Sequence, residues 1–240
     1  MYRVLFKIGF FEIESYYVFW SIALIAAILW TNKRIDRSGL PAKEASSVIS
    51  YAFFGMILGA RCFEYFLNWR LYFENPSFFL DINRGGISEV GAALGAIIVA
   101  FIMCKVKNVS FWKLSEMVSP AGLLTVAIGR WGCYLEGCCR GIDGRPTQLY
   151  YSFSAAIILS IVLTIENYIK RNGIIFKYGI VSPVSVGLYS VMRLFIDPYR
   201  IEANTQGIIM SDKVLAVSAA VCLVWLTISF MKKQKLKENA

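Results

Sequence analysis

Arg61, Arg130 and Arg193 fall inside or at the rim of apolar runs long enough to cross a membrane, where a guanidinium needs an anion. Insertion scales put each at about 2.5 to 3.5 kcal/mol at the bilayer centre, about 8 to 10 kcal/mol for all three. Two have an acid at helical spacing: Arg61 with Glu64, and Arg193 with Asp197, so each pair can share a helix face. Arg130 has no such partner, and Glu136 lies off its face. It sits in the segment GRWGCYLEGCCRG, residues 129–141. An intramembrane arginine facing a cavity marks a functional site, and the anion a membrane supplies in quantity is the lipid phosphate. The planar guanidinium fork donates paired hydrogen bonds to phosphate oxygens. Glycines at 129, 132, 137 and 141 would let the backbone bend there and offer its own amides. The segment is therefore expected to be an anion cradle.

The same segment holds Cys133, Cys138 and Cys139. Their C-x4-C-C spacing fits no common zinc or iron–sulfur pattern, and the chain has no histidine to complete a site, so no metal or other cofactor is expected. A thiol activated by Arg130 or Arg140, a disulfide in an oxidising exterior, and plain packing all remain open. Cys62, Cys104 and Cys222 read as small apolar fillers.

The elements that must position these groups are membrane helices. Hydrophobic residues make up 57% of the 240-residue chain, and the mean hydropathy is +0.56, which a soluble domain of this size does not show. The chain reads as a single all-α integral membrane domain with about seven transmembrane helices, near 14–31, 46–67, 87–104, 115–135, 148–166, 179–197 and 213–231. Lys and Arg concentrate in alternate loops, at 33–43, 105–113, 170–177 and 232–237, so the positive-inside rule puts the N-terminus outside and the C-terminus in the cytoplasm. The basic cluster TNKRIDR follows the first apolar run instead of preceding it, which argues for an uncleaved helix. The net charge of +9 sits in short loops with no basic arm, so no nucleic-acid partner is expected. Gly55 with Gly59, and Gly91 with Gly95, are spaced for close helix packing. Pro120 should loosen the fourth helix by removing a backbone donor.

With these residues in place, the chain resembles the prolipoprotein diacylglyceryl transferases of bacterial membranes. The resemblance runs through ESYYVFW, GMILGARCFEYF, RGGISEVGAALGA, SFWKLSEMVSPAGLLTVAIGRWGCYLEG, RPTQLYY and YSVMRLFIDPYR. It implies a multi-pass protein of the bacterial inner (cytoplasmic) membrane. It also implies transfer of a diacylglyceryl group from phosphatidylglycerol to the sulfur of a lipobox-type prolipoprotein or other thiol acceptor. By resemblance Arg130, Arg193 and Tyr17 are catalytic, while Arg61, Gly141, Gln148, Tyr150 and Asp197 bind substrate, together with Cys133 and Glu136 inside the signature. The chain departs from the family pattern in its third helix, where S-F-H-G-G becomes Ser88, Glu89, Val90, Gly91, Ala92. Cys133 stands at an asparagine position, Cys138 at an acidic one, and Arg145 at a histidine. This makes it a divergent, histidine-less, cysteine-bearing member in which a histidine base cannot operate. Glu89 is the candidate replacement, although neighbouring helix residues point about 100° apart. Other readings are a paralogue with another acceptor and a non-catalytic phospholipid-binding protein. A transporter with inverted repeats is disfavoured because no internal symmetry is found.

Overall fold

The computed structural model describes residues 4–8, 11–74, 77, 88–173, 179–201 and 206–238. Residues 84–87 of the RGGISEV motif lie outside these. Strands β1 (Val4–Ile8) and β2 (Phe11–Glu14) form an antiparallel hairpin, which an all-helical reading did not include. The alternation of Phe11 and Ile13 with Glu12 and Glu14 has the period of a strand, and Lys7 pairs with Glu12 at 2.6 Å. Then follow α1 (Ser15–Asp36), α2 (Ala42–Leu67), the short α3 (Trp69–Glu74), α4 (Glu89–Val106), α5 (Phe111–Glu136), α6 (Thr147–Arg171), α7 (Val181–Ile196) and α8 (Gln206–Glu238). Several helices overrun their apolar stretches, α1 to Asp36 and α6 to Arg171, because basic side chains continue a helix as readily as leucine does.

Five described helices, α1, α2, α4, α6 and part of α8, are long and apolar enough to cross a membrane. Neither α5 nor α7 is among them. Arg130 lowers the apolar signal of α5, and α7, at 16 residues, is short for a span. Outward faces are dense in large apolar groups, such as Leu29, Phe54, Leu58, Ile157 and Leu223, the pattern expected where lipid is the solvent.

Helix α2 packs mainly on α4, α1 on α5, α5 on α6, and α7 on α8. Glycine makes the α2–α4 approach possible: a Cβ on Gly59 would stand 2.7 Å from Gly95 Cα, and one on Gly55 2.7 Å from Gly95 O. One core cluster lies among α5, α6 and α7 around Leu123, Tyr151, Ile158, Val162 and Met192. Another joins the ends of α1, α2, α4 and α5 through Ile35, Val48, Cys104 and Leu114.

Pro120 does not interrupt α5, which runs unbroken from Phe111 to Glu136. A proline at 120 leaves the carbonyl of Glu116 without its helical donor. Arg34 of α1 supplies one instead, from Nη2 to Glu116 O at 3.1 Å, and also donates from Nε to Met117 O at 3.1 Å. The same guanidinium pairs with Glu166 of α6 at 3.0 and 3.1 Å, and Lys170 adds a third donor at 2.6 Å. Read in sequence as an orientation signal, Arg34 is in fact a half-buried tie between three helices. The Glu116 carboxylate, in turn, accepts the backbone amides of Ile180, Val181 and Ser182 at 2.7 to 3.2 Å, so one helix caps the N-terminus of another. Gly179 makes room for it, with φ +75° and a virtual Cβ 2.7 Å from Glu116 Cγ. Gly179→Ala is expected to cost about 2 to 3 kcal/mol through left-handed strain and overpacking, read as a lower midpoint of thermal unfolding in lipid–detergent micelles. An unchanged midpoint would show that this cap does not stabilise the fold.

Candidate active site

The C-terminal half of α5 brings Arg130 to a buried position, 6% exposed, where its guanidinium lies over the ring of Tyr151 at 4.3 Å from the centroid. Tyr151 is completely buried and donates its hydroxyl to Asp197. Asp197, directly after α7, is also completely buried and accepts from Arg193 Nε at 3.1 Å and Nη2 at 2.9 Å. The expected i,i+4 pair of Arg193 with Asp197 is therefore formed. The other edge of Arg193, through Nη1, is held by Glu89 from the first turn of α4.

Glu89 also reaches Arg130, with Oε1 3.7 Å from Nη2. This corrects the view that Arg130 has no acidic neighbour: its own helix offers none, but α4 does. The contact is an ion pair too long to be a hydrogen bond. Arg130 Nε is buried and makes no hydrogen bond among the described residues. Arg193 is thus well compensated and Arg130 only in part.

The glycines of the segment have other work than cradling an anion. Gly129 and Gly132 face α1, where a Cβ would stand 2.9 Å from the Trp20 ring and 3.0 Å from Phe19 Cβ. Gly137 ends α5 in the left-handed region, φ +85°, and spends its amide on Cys133 O at 3.0 Å. Gly141 spends its own on Arg145 O at 2.9 Å and bridges to Arg200, and a Cβ there would meet Arg145 O and Thr147 Cγ2, both at 2.7 Å. Helix packing and loop closure account for all four.

Cys139 adopts φ +54°, an uncommon conformation for a residue with a side chain. The loop is pinned around it: Gln148 Nε2 donates to Cys138 O at 2.5 Å and Thr147 Oγ1 to Cys139 O at 2.9 Å. Buried Cys133 closes the cluster, and all six cysteines are free thiols. Hydrogen bonds from Cys133 and Cys138, followed by the positive charges of Arg200 and Arg130, hold the Cys139 thiol well below its ordinary range.

Gln148 is buried, with its amide holding the loop and Oε1 without a hydrogen-bond partner among the described residues. Tyr150 is 43% exposed, while the adjacent Tyr151 is buried beneath the Arg130 guanidinium. One helix position is a rotation of about 100°, which sequence spacing alone did not resolve. The same offset separates Tyr17, 64% exposed, from half-buried Tyr16, which lies within electrostatic range of the three cysteines and Arg130. Glu136 is half-buried in the last turn of α5. Arg61 is half-buried on α2, beside Ala60, whose carbonyl receives the Ser88 amide at 3.2 Å. Glu64, its expected partner, accepts from Asn68 Nδ2 at 2.6 Å. Sequence reasoning also passed over Arg200, which is buried near Glu89, Asp197 and Cys139; a loop arginine beyond an apolar run gives no sign of burial.

The family model for prolipoprotein diacylglyceryl transferase matches residues 3–231, and so spans Arg130, Arg193 and all the helices that carry them. The chain belongs to that family. A phosphatidylglycerol–prolipoprotein diacylglyceryl transferase of Finegoldia magna is 27% identical over 253 residues, covering 100% of this chain and 99% of its own. Enzymes of the same name from Bacillus cereus strain Q1 and Bacillus cytotoxicus are 28% and 26% identical, each covering 91% of this chain and 88% of theirs. The chain is thus a member of a transferase family, and several of its helices are apolar enough to cross a membrane.

Proposed function

We propose that the protein transfers the diacylglyceryl group of phosphatidylglycerol to a thiol acceptor. The observation that carries this reading is Arg130: a buried guanidinium, stacked on Tyr151, with an Nε that has no hydrogen-bond partner among the described residues and a carboxylate only at 3.7 Å. A phosphodiester oxygen supplies the acceptor that such a group lacks. In the reaction the acceptor sulfur attacks the glyceryl carbon next to the phosphate. The carbon–oxygen bond breaks with its electron pair on oxygen, and glycerol phosphate leaves with one more negative charge than the diester had. Arg130 and Arg193 oppose that growing charge, so they stabilise the transition state more than the bound lipid. Tyr151 and Asp197 position the two guanidinium groups, and Gln148 and Gly141 hold the loop beside them.

The protein would act as a seven-span single domain of the bacterial cytoplasmic membrane with its N-terminus outside, α5 and α7 being the spans whose arginines face inward. A second reading, a different acceptor for the same donor, is favoured by one feature: the family's histidine, asparagine and acidic positions are Val90, Cys133 and Cys138, while the phosphate arginines are retained. Incubating purified protein with labelled phosphatidylglycerol and a panel comprising a lipobox peptide, small thiols and alcohols, followed by product mass, decides between them. Lipidated peptide is the expected product. A lipidated small thiol keeps the thiol-transfer reading with another acceptor, a lipidated alcohol in its place supports the second reading, and lipid binding with no product from any acceptor would overturn both.

A further inference from the structure

A thiol must shed its proton to attack carbon, and this chain holds no histidine to take it. Glu89 is placed to do so. Its side chain is 55% exposed, while the two guanidinium groups it touches, Arg130 and Arg193, are 7% and 6% exposed. One side of the carboxylate therefore rests on buried cations and the other is open. Its backbone is fixed: Ser88 caps α4 by accepting the Gly91 amide at 3.2 Å, and the Ser88 amide is tied to Ala60 O of α2.

We propose that Glu89 is the resident anion of the donor site, displaced from Arg130 and Arg193 by the lipid phosphate and thereby made the proton acceptor for the incoming thiol. This rests on the donor and acceptor classes proposed above. While it bridges two guanidinium groups, the carboxylate is held ionised and is a poor base. A phosphodiester wants the same donors. Once it takes them, Glu89 loses its opposite charges and gains a like charge beside it, and both changes raise its proton affinity. The bridge is built to open at Glu89. Its contact with Arg130 is the long one, and Arg193 keeps Asp197 on Nε and Nη2 when Nη1 is released. Binding the donor thus creates the base.

The proton then passes from sulfur to Glu89, the sulfur–carbon bond forms, and the carbon–oxygen bond breaks toward phosphate. The carboxyl group returns its proton to the departing phosphate monoester or to water. The charged groups about this carboxylate are Arg130 on α5, Arg193 on α7, and Arg200 and Asp197 in the turn after α7. Asp212 of α8 lies beyond Asp197, and Tyr189, Cys133 and Cys139 lie within range of Arg130.

Two readouts test this in mixed micelles of labelled phosphatidylglycerol, using the thiol acceptor that the wild type lipidates. Glu89→Gln is expected to bind phosphatidylglycerol severalfold more tightly, since a competing anion is gone, and to turn over about 30-fold more slowly at pH 7, the factor by which a thiol of pKa about 8.5 is under-ionised there. Near pH 9.5 its rate approaches that of the wild type, because a thiol of pKa about 8.5 then ionises without help. Glu89→Asp keeps part of the pH 7 rate, and Val90→His added to Glu89→Gln restores part of it from the next helix position. A loss by the same factor at every pH would mark a structural role and overturn the proposal, as would a Glu89→Gln rate equal to wild type at pH 7. Absence of product from the wild type with every thiol would overturn the thiol-transfer reading and this inference with it. Product from both proteins at equal rates overturns this inference alone.

Discussion

Arg130→Ala is expected to reduce glycerol phosphate release from labelled phosphatidylglycerol by about 100- to 1,000-fold, the loss typical of removing one preorganised donor from a developing oxyanion. The size follows from where the guanidinium sits. It is buried, held over the Tyr151 ring, and therefore meets the leaving phosphate without reorganising and with little water between them. Arg130→Lys recovers only a small part, since a point charge cannot reproduce the planar fork or the stacking on Tyr151. The variant is not expected to unfold. Among the described residues, Arg130 meets its neighbours only through the Tyr151 ring and the long Glu89 contact, and the Glu89 that it leaves behind keeps Arg193. A thermal midpoint close to wild type alongside lost turnover separates chemistry from stability. Release at the wild-type rate would remove Arg130 from the mechanism.

Gly59→Leu has the largest expected effect on the fold. A side chain at 59 drives into the backbone of α4, with Gly95 Cα 2.7 Å from the first carbon alone, and no rotamer moves that atom away. The two helices must separate, and in lipid their association depends on that close packing because no hydrophobic drive holds them together. A loss of about 3 kcal/mol or more is expected, measured as a lower unfolding midpoint and reduced yield of monodisperse protein. Activity falls with it, because the Ser88–Ala60 tie that places Glu89 lies at the end of the same interface. Gly122→Ala is the control: its Cβ meets nothing within 4 Å, so it is expected to be neutral or slightly stabilising by reducing backbone freedom in the unfolded chain. Equal behaviour of the two variants would mean that the glycines reflect composition and not packing.

Much of the architecture could be read from local pattern. Apolar runs of bilayer length gave the helices, and i,i+4 spacings marked the two glycine pairs for close packing and gave the Arg193–Asp197 pair, while that the glycine pairs meet each other was seen only in the fold. The site was legible in its arginines, because a guanidinium in an apolar run is costly enough to stand out against composition. The burial of its tyrosines was less legible. The choice between Tyr150 and Tyr151, or Tyr16 and Tyr17, is one of helix rotation, and an apolar run surrounded by lipid has no polar face to set its phase. The tie of Arg34 to Glu116 and Glu166 was visible in hindsight from one signal, the carbonyl that Pro120 deprives of its donor.

By itself the sequence determined a helical membrane chain, the cost of its arginines and the absence of any histidine, since all three follow from composition and from spacing within one segment. Only the tertiary structure decided which acid faces which arginine. Glu89 reaches Arg130 and Arg193 across three helices, from 41 and 104 residues away along the chain. No periodicity in the chain encodes such a meeting, because it depends on how α4, α5 and α7 pack and rotate against one another.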